Sequence, residues 1–273
     1  MKFTKYFQSM HYVTIVVLFV VAAIQSIGHG FPVNVIVAVL TASVIDVAIK
    51  SLWLKRRPAL PLSAIITGLI IGTVSVNAPI MGAFAAAVLA ILSKFVIRHK
   101  GWHIFNPAVF GVVVSQLLSP AAHGPTTHGV SQAIEGFGIG GLTVSIGLVP
   151  LLLFANWRAK KLWISIPYLV ATTLLFSFSG LASPTSLSSQ GIFSFLEVLP
   201  YYFAFIIVSE PRTTPNVRIE QVAFGIGVSV LSILPFLFFG SYSHIGTLVA
   251  LLLGNIIYAL YRTNKTRKLI NST

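Results

Sequence analysis

The sequence predicts an all-α polytopic membrane protein with ten transmembrane helices. Three observations lead to this prediction: ten apolar runs, a chain that is 56% hydrophobic and only 8% charged, and basic residues confined to one side of the threading. An ordinary soluble chain carries about 25% charged residues. The apolar runs lie at 12–27, 32–49, 61–76, 79–93, 105–118, 138–156, 162–179, 192–208, 221–239 and 244–261.

The 18 Lys and Arg residues predict the orientation. They lie before the first run and after every even-numbered run, and the intervening connections hold none. Basic loops stay cytoplasmic during insertion, so both termini are expected inside the cell (plasma or inner) membrane. Six short basic groups beside anionic lipid fit topology determinants, and no nucleic-acid partner is expected. The basic residues are Lys2, Lys5, Lys50, Lys55, Arg56, Arg57, Lys94, Arg98, Lys100, Arg158, Lys160, Lys161, Arg212, Arg218, Arg262, Lys265, Arg267 and Lys268.

The runs differ in length and continuity. The first follows Lys2 and Lys5 as a signal peptide would, but it lacks a small-x-small cleavage site in a polar context, so it is interpreted as a retained helix. Several later runs fall short of the roughly 20 residues that a full span needs. Short runs next to Pro or Gly are typical of broken helices that line a cavity. The interruptions are at Pro61, Pro79, Pro107 and Pro200.

A single membrane domain, 1–273, is expected, with a first repeat at about 1–118 and a second at about 138–268. Five helices in each half would give the halves opposite orientations, which defines an inverted repeat. A weak echo agrees with this interpretation, since segment 103–107 opens run five and segment 243–247 opens run ten.

Two acids are candidates for an ion pathway. Asp46 lies four residues before Lys50, so a helical ion pair is the alternative. Glu197 lies in run eight, where a carboxylate is usually functional, although it could also lie at the outer interface. Glu220 begins run nine, where an acid favours a helix N-terminus.

Two inner loops could hold a cofactor. In the first, an amide edge beside aromatic residues suits a flat, hydrogen-bonding heterocycle; the alternative is an Asn N-cap with Pro at the first helical position. The second, at 209–215, offers a carboxylate and hydroxyls, and its alternative is a rigid loop with an internal Glu–Arg pair. The candidate residues are Phe105, Asn106, Pro107, Glu210 and Thr213.

Several kinds of chemistry are disfavoured. The chain has no cysteine, which excludes thiolate-held iron–sulfur clusters and cysteine nucleophiles. It shows no Gly-rich phosphate loop, triad spacing, zinc signature or nicotinamide fingerprint. The histidines are divided between the two predicted faces, which does not suit a bis-His haem.

Four segments carry a resemblance to a known family. They are Ser-Ala-Ile-Ile-Thr-Gly-Leu at 63–69, Phe-Asn-Pro-Ala at 105–108, Phe-Ile-Ile-Val-Ser-Glu-Pro at 205–211 and Leu-Leu-Leu-Gly-Asn at 251–255. With them the chain resembles, from end to end, the integral membrane flavoprotein subunit of the Rnf complexes and of the sodium-translocating NADH:quinone reductase. Ser-Glu-Pro stands where that family usually has Thr-Asp-Pro.

The resemblance implies a ten-helix inverted-repeat fold similar to urea transporters. It also implies an FMN esterified to a threonine in the outer loop before span six and a non-covalent riboflavin near the inner face. Electrons pass between these flavins, and the complexes couple the transfer to cation movement. Other membrane and peripheral subunits of an electron-transport complex are the implied partners.

The outer attachment motif, usually Ser-Gly-Ala-Thr or Ser-Gln-Ala-Thr, is degenerate in this chain. Ile134 stands at the acceptor position, and isoleucine has no hydroxyl that could form a phosphoester. Covalent flavinylation is therefore expected to be lost, while a non-covalent flavin (riboflavin or FMN) is expected at the inner loops. The motif residues are Gly129, Ser131, Gln132, Ala133 and Ile134.

Three functions stay open at this point. The first is a membrane subunit of a flavin-dependent electron-transfer complex, and the retained Asn-Pro and Glu-Pro loops favour it. The second is a channel or transporter of the same fold without redox activity, which the lost acceptor favours. The third is a structural anchor for partner subunits. The electron donor, the acceptor and any coupling ion are not encoded in a recognisable motif.

Overall fold

The computed structural model describes residues 2–55, 59–75, 78–99, 101–118, 142–178, 200–239 and 244–271, and these residues are mostly helical. The helices are α1 (Lys2–His29), α2 (Val33–Ala48), α3 (Leu62–Val74), α4 (Ile80–Val96), α5 (Pro107–Leu118), α6 (Leu142–Arg158), α7 (Leu162–Phe178), α8 (Arg218–Phe239) and α9 (His244–Asn271). Two π-helical segments cover Ile49–Trp53 and Phe203–Ile207. A short antiparallel hairpin joins β1 (Arg98–His99) to β2 (Trp102–His103), with Gly101 in its turn at φ +85°.

The prolines that interrupt the apolar runs stand at helix starts. Pro61 and Pro79 are the N-caps of α3 and α4, and Pro107 is the first residue of α5. Pro200 directly precedes the helical turn that leads into the second π-helical segment. Proline suits these positions because its fixed φ is helical and its missing N–H would have no partner there.

The two halves of the described chain pack with the same pairing pattern. In the first half, α2 packs on α3 and α4, α4 packs on α5, and α1 packs on α3. In the second half, α7 packs on the Phe203–Ile207 segment and on α8, α8 packs on α9, and α6 packs on the Phe203–Ile207 segment. Each of these four contacts in the first half therefore has a counterpart in the second half, where the Phe203–Ile207 segment takes the place of α3.

The described surface is rich in large apolar side chains, whereas the contacts between helices use small ones. Leu40, Val44 and Ile257 are 58–65% exposed, whereas Ala38 and Ala42 on the inner side of α2 are fully buried. Small residues let helix backbones approach closely when lipid surrounds the bundle. Two helices of the described chain are long and apolar enough to cross a membrane, Val33–Trp53 with mean hydropathy 2.1 and Gly246–Lys265 with 1.3.

Two glycines of α8 provide a test of this close packing. A Cβ added at Gly225 would fall against the carbonyl oxygen of Ile164 on α7, whereas a Cβ at Gly227 would meet nothing within 4 Å. We expect Gly225→Ala to lower the free energy of unfolding by about 1–3 kcal/mol through overpacking. Gly227→Ala should be neutral or stabilise by up to about 1 kcal/mol, because alanine is the better helix former. SDS-driven unfolding in detergent compares the two variants, and an equal effect would contradict this packing.

Candidate functional site

The two inner loops predicted from the sequence meet in the structure. The Asn106 Oδ1 atom accepts hydrogen bonds from the backbone N–H groups of Ala108 at 3.1 Å and Val109 at 3.3 Å, which confirms the predicted N-cap of α5. The Asn106 Nδ2 atom donates to the carbonyl oxygen of Ile207 at 3.1 Å. Asn106 is 2% exposed, so this single buried amide both starts α5 and ties it to the π-helical segment of the second half.

The π-helical segment is held by polar side chains of α6 and α7 and by Ser209, which follows the segment. A π-turn disturbs the regular hydrogen-bond ladder of a helix, and polar side chains can satisfy the backbone groups that it frees. Asn156 donates to the Phe205 carbonyl at 2.9 Å, Ser165 donates to the Ala204 carbonyl at 2.5 Å, and Ser209 also reaches the Phe205 carbonyl at 2.6 Å. The site is therefore built on backbone that other helices fix in place.

Lys161 anchors the loop that follows the π-helical segment. Its ammonium donates to the carbonyl oxygens of Thr214 at 3.3 Å and Pro215 at 2.6 Å, and to Asn216 Oδ1 at 2.9 Å. Burial lowers the pKa of Lys161 to about 8, and the charge of Glu210 offsets part of that effect. At pH 7 the side chain is still mainly protonated, so it can donate three hydrogen bonds at once.

Glu210 links the second loop to the hairpin. Its Oε2 atom accepts a hydrogen bond from Thr213 Oγ1 at 2.9 Å, and its Oε1 atom lies 3.6 Å from Nε2 of His103 on β2. The hairpin itself is tied to α9, because His99 Nε2 and Thr263 Oγ1 are 2.9 Å apart. Both predicted loops and the end of α9 therefore form one polar cluster.

A first cleft opens where α1, α3, α5 and α6 surround the π-helical segment. Its volume is about 90 Å³. Three of the residues predicted to bind a cofactor, Asn106, Pro107 and Glu210, line it. Among its hydroxyls, Thr14 and Thr67 donate to their own helix backbones. Much of the polar lining of the cleft is already hydrogen-bonded within the protein.

A second cavity lies on the other side of Arg212, which lines both spaces. It is larger, about 230 Å³, and is bounded by the hairpin, by the loop after the π-helical segment and by α9. Thr213 lines this cavity and not the first cleft. Phe105 lines neither, and it stacks on Phe110 with ring centroids 5.3 Å apart. The predicted cofactor residues are thus close together but are divided between two spaces.

Asp46 is fully buried at the end of α2 between two lysines. Its Oδ2 atom pairs with Lys50, which confirms the predicted helical ion pair, and its Oδ1 atom accepts from Lys94 at 3.0 Å. Asp46 lines neither the first cleft nor the second cavity. A role in an ion pathway stays a prediction. Glu197 and the degenerate attachment motif at 129–134 lie outside the described residues.

Sequence reasoning missed three buried polar residues. Asn156 and Lys161 hold the site's backbone, and Asn255 of α9 lies in the wall of the second cavity. The sequence did contain a signal for these residues, because each places an amide or a cation inside or beside an apolar run. Such a placement is energetically costly and is usually functional.

Comparison with models of known protein families and with curated protein sequences finds no match to this chain. The residues of the site line two adjoining cavities that are polar and partly cationic.

Proposed function

We propose that this chain is the ten-span membrane subunit of a flavin-dependent electron-transfer complex and binds a non-covalent flavin at its cytoplasmic face. The observation that carries the proposal is the meeting of the two family-like loops. They are about a hundred residues apart in sequence, yet Asn106 bonds to Ile207 and His103 approaches Glu210. Together these loops border two adjoining cavities.

Contacts between the ends of helices support the ten-span topology. The basic pattern assigns the end of α4 and the end of α9 to one face, and the Arg262 guanidinium lies 5.0 Å from the Trp102 ring centroid. The basic pattern also assigns the start of α7 and the start of α8 to this face. Consistent with that, the Arg218 guanidinium lies 5.8 Å from the Trp163 ring centroid. Both contacts join ends that the charge pattern places together. The apolar described surface agrees with a lipid surrounding.

The repeated packing pattern supports an inverted repeat like that of urea transporters. Near the start of α2, Asn34 donates to the carbonyls of Ser75 and Ala78, which flank the α3–α4 connection. At the start of α7, Lys161 donates to the Thr214 and Pro215 carbonyls before α8. In the proposed threading these two equivalent positions lie at opposite faces, as an odd number of spans per half requires.

The residues present fit a flavin better in the second cavity than in the first cleft. A flavin ring needs hydrogen-bonding groups that are not already used, and Asn106 has only one amide N–H left after its protein contacts. Asn255 belongs to the wall of the second cavity, and its two amide atoms have no hydrogen-bond partner among the described residues. When bound, a flavin would supply reversible electron transfer, whereas these side chains would bind and orient it.

The first test is the absorbance of protein purified in mild detergent, between about 350 and 500 nm, followed by denaturation and filtration. We expect a flavin spectrum that passes the filter after denaturation, because Ile134 offers no attachment point. Flavin retained with the chain would contradict the non-covalent assignment. Absence of flavin, even after incubation with riboflavin and FMN, would contradict the redox function.

The second candidate function is a channel or transporter of the same fold. The lost acceptor and the hydrogen-bonded lining of the first cleft favour it, because a cleft with few spare donors would hold a cofactor weakly. It predicts solute flux in proteoliposomes from a chain that binds no flavin. Flux without bound flavin would therefore decide for this candidate.

A further inference from the structure

The tryptophans of this chain all lie at one end of the proposed ten-span topology. Each of the four stands beside a basic connection that the charge pattern assigns to the inner face, and the outer connections hold none. All four side chains are 51–66% exposed. Tryptophan in membrane proteins usually marks both interfaces, so its restriction to the basic end indicates a specific contact with the inner leaflet. The residues are Trp53, Trp102, Trp157 and Trp163.

Two of the four rings lie against an arginine, and the two pairs differ in their surroundings. The pair of Arg262 and Trp102 borders the second cavity. The Arg218 guanidinium lies over the Trp163 ring, 5.8 Å from its centroid, and neither of these residues lines the first cleft or the second cavity. The pair of Arg218 and Trp163 is therefore a surface feature that the proposed flavin function does not use.

The Arg218 guanidinium brings a positive charge to that surface. Arg218 is exposed, and no carboxylate of the described residues pairs with it. Glu220, two positions further on, pairs with Lys265 at 2.7 Å. A guanidinium that lies over an aromatic face keeps its in-plane N–H donors available, and these donors match the oxygens of a phosphate group.

The apolar surface beside this pair indicates a phosphate that is carried by a lipid. From Trp163, exposed side chains continue along α7 at Ile166, Val170 and Leu174, each 49–53% exposed. Their spacing of three and four residues places them on one face of the helix. An exposed apolar stripe of this kind marks a contact with lipid. A phosphate bound by Arg218 would therefore belong to a phospholipid with an acyl chain that follows α7.

We infer that the pair of Arg218 and Trp163 binds the headgroup of an anionic phospholipid of the inner leaflet, with an acyl chain along the exposed face of α7. Charge complementarity selects this lipid, because the chain has a net charge of +13 and its basic connections all belong to this end. Basic residues near the membrane surface attract anionic headgroups. The inference needs the proposed membrane topology and is independent of the proposed flavin.

The test uses the full-length protein in vesicles of phosphatidylcholine and phosphatidylglycerol, with one lipid brominated so that it quenches tryptophan fluorescence. The three other tryptophans are replaced by phenylalanine, so that Trp163 is the single reporter. We expect phosphatidylglycerol to be enriched about 5-fold at Trp163 over its share of the bilayer. Arg218→Gln should remove most of this enrichment. Lys55→Gln, which removes the same charge from an exposed position in the other half of the chain, should leave it unchanged.

Three results would overturn the inference. The first is quenching that follows the bulk lipid composition in the parent reporter. The second is an equal loss of enrichment in Arg218→Gln and Lys55→Gln, which is the result expected of general surface charge. The third is loss of enrichment on addition of inorganic phosphate at constant ionic strength, which would assign the pair to a free anion. Flavin absorbance of the same preparations reports on the proposed function separately, so either proposal can fail without the other.

Discussion

Replacing Asp46 with leucine is expected to lower the free energy of unfolding by about 3–5 kcal/mol. The carboxylate is fully buried and is shared by Lys50 and Lys94, and the Lys94 side chain is only 8% exposed. Removing the acid leaves that ammonium buried without its counter-charge, which costs far more than an intact pair contributes. SDS-driven or thermal unfolding in detergent measures the change.

The double variant Asp46→Leu/Lys94→Met is the matched control. It removes both buried charges, so most of the lost stability should return, because apolar replacements of a buried pair are often neutral. Lys50 is 31% exposed on its side chain and can reach water without the acid. A single variant as stable as the wild type would contradict a structural role. If the double variant is stable but no longer conducts solute in proteoliposomes, that result would instead support the ion-pathway prediction.

Replacing Asn106 with alanine should lower the free energy of unfolding by about 2–4 kcal/mol. One part is the N-cap of α5, which is typically about 1 kcal/mol. The other part comes from the buried Ile207 carbonyl, which would lose its side-chain donor. A buried carbonyl left without a donor costs about 1–3 kcal/mol. Thermal unfolding with and without FMN measures both the stability and any change in ligand binding.

Asn106→Ser separates the two contributions. Serine keeps a cap acceptor for α5, but its side chain is too short to reach Ile207, so its stability should fall between those of the wild type and the alanine variant. If flavin occupies the second cavity, neither variant should weaken FMN binding, because Asn106 lines only the first cleft. If Asn106→Ser keeps its stability but loses much of its FMN affinity, the flavin site would be assigned to the first cleft.

Local sequence signals predicted the helices well. Apolar runs and prolines follow from composition and from fixed backbone preferences, so the starts of α3, α4 and α5 could be placed at Pro61, Pro79 and Pro107. The cap at Asn106 and the pair between Asp46 and Lys50 are also local, since their partners lie within four residues. Interactions of this range depend only on helical geometry.

The tertiary parts of the site could not be predicted in the same way. The bond from Asn106 to Ile207 and the three bonds of Lys161 join residues that are far apart in sequence, and their geometry depends on how the helices pack. The π-helical turn at Phe203–Ile207 has no simple sequence signature, yet it creates the carbonyls that Asn156 and Asn106 satisfy. Asn255 looked like one polar residue in an apolar run, and only the folded chain shows its unsatisfied amide at a cavity wall.

The measurement that most directly tests the central claim, a flavin bound at the cytoplasmic face of a ten-span chain, uses single cysteines. The chain has none of its own, so each introduced thiol is the only target for a membrane-impermeant maleimide. Thr263→Cys lines the second cavity, Ser63→Cys lines the first cleft, and Phe31→Cys lies in a connection predicted to be outside. We predict that Thr263→Cys and Ser63→Cys react only in inside-out vesicles, that Phe31→Cys reacts only in right-side-out vesicles, and that FMN slows labelling at Thr263→Cys. Labelling of Thr263→Cys from outside, or labelling that FMN leaves unchanged at both cavity positions, would contradict the account.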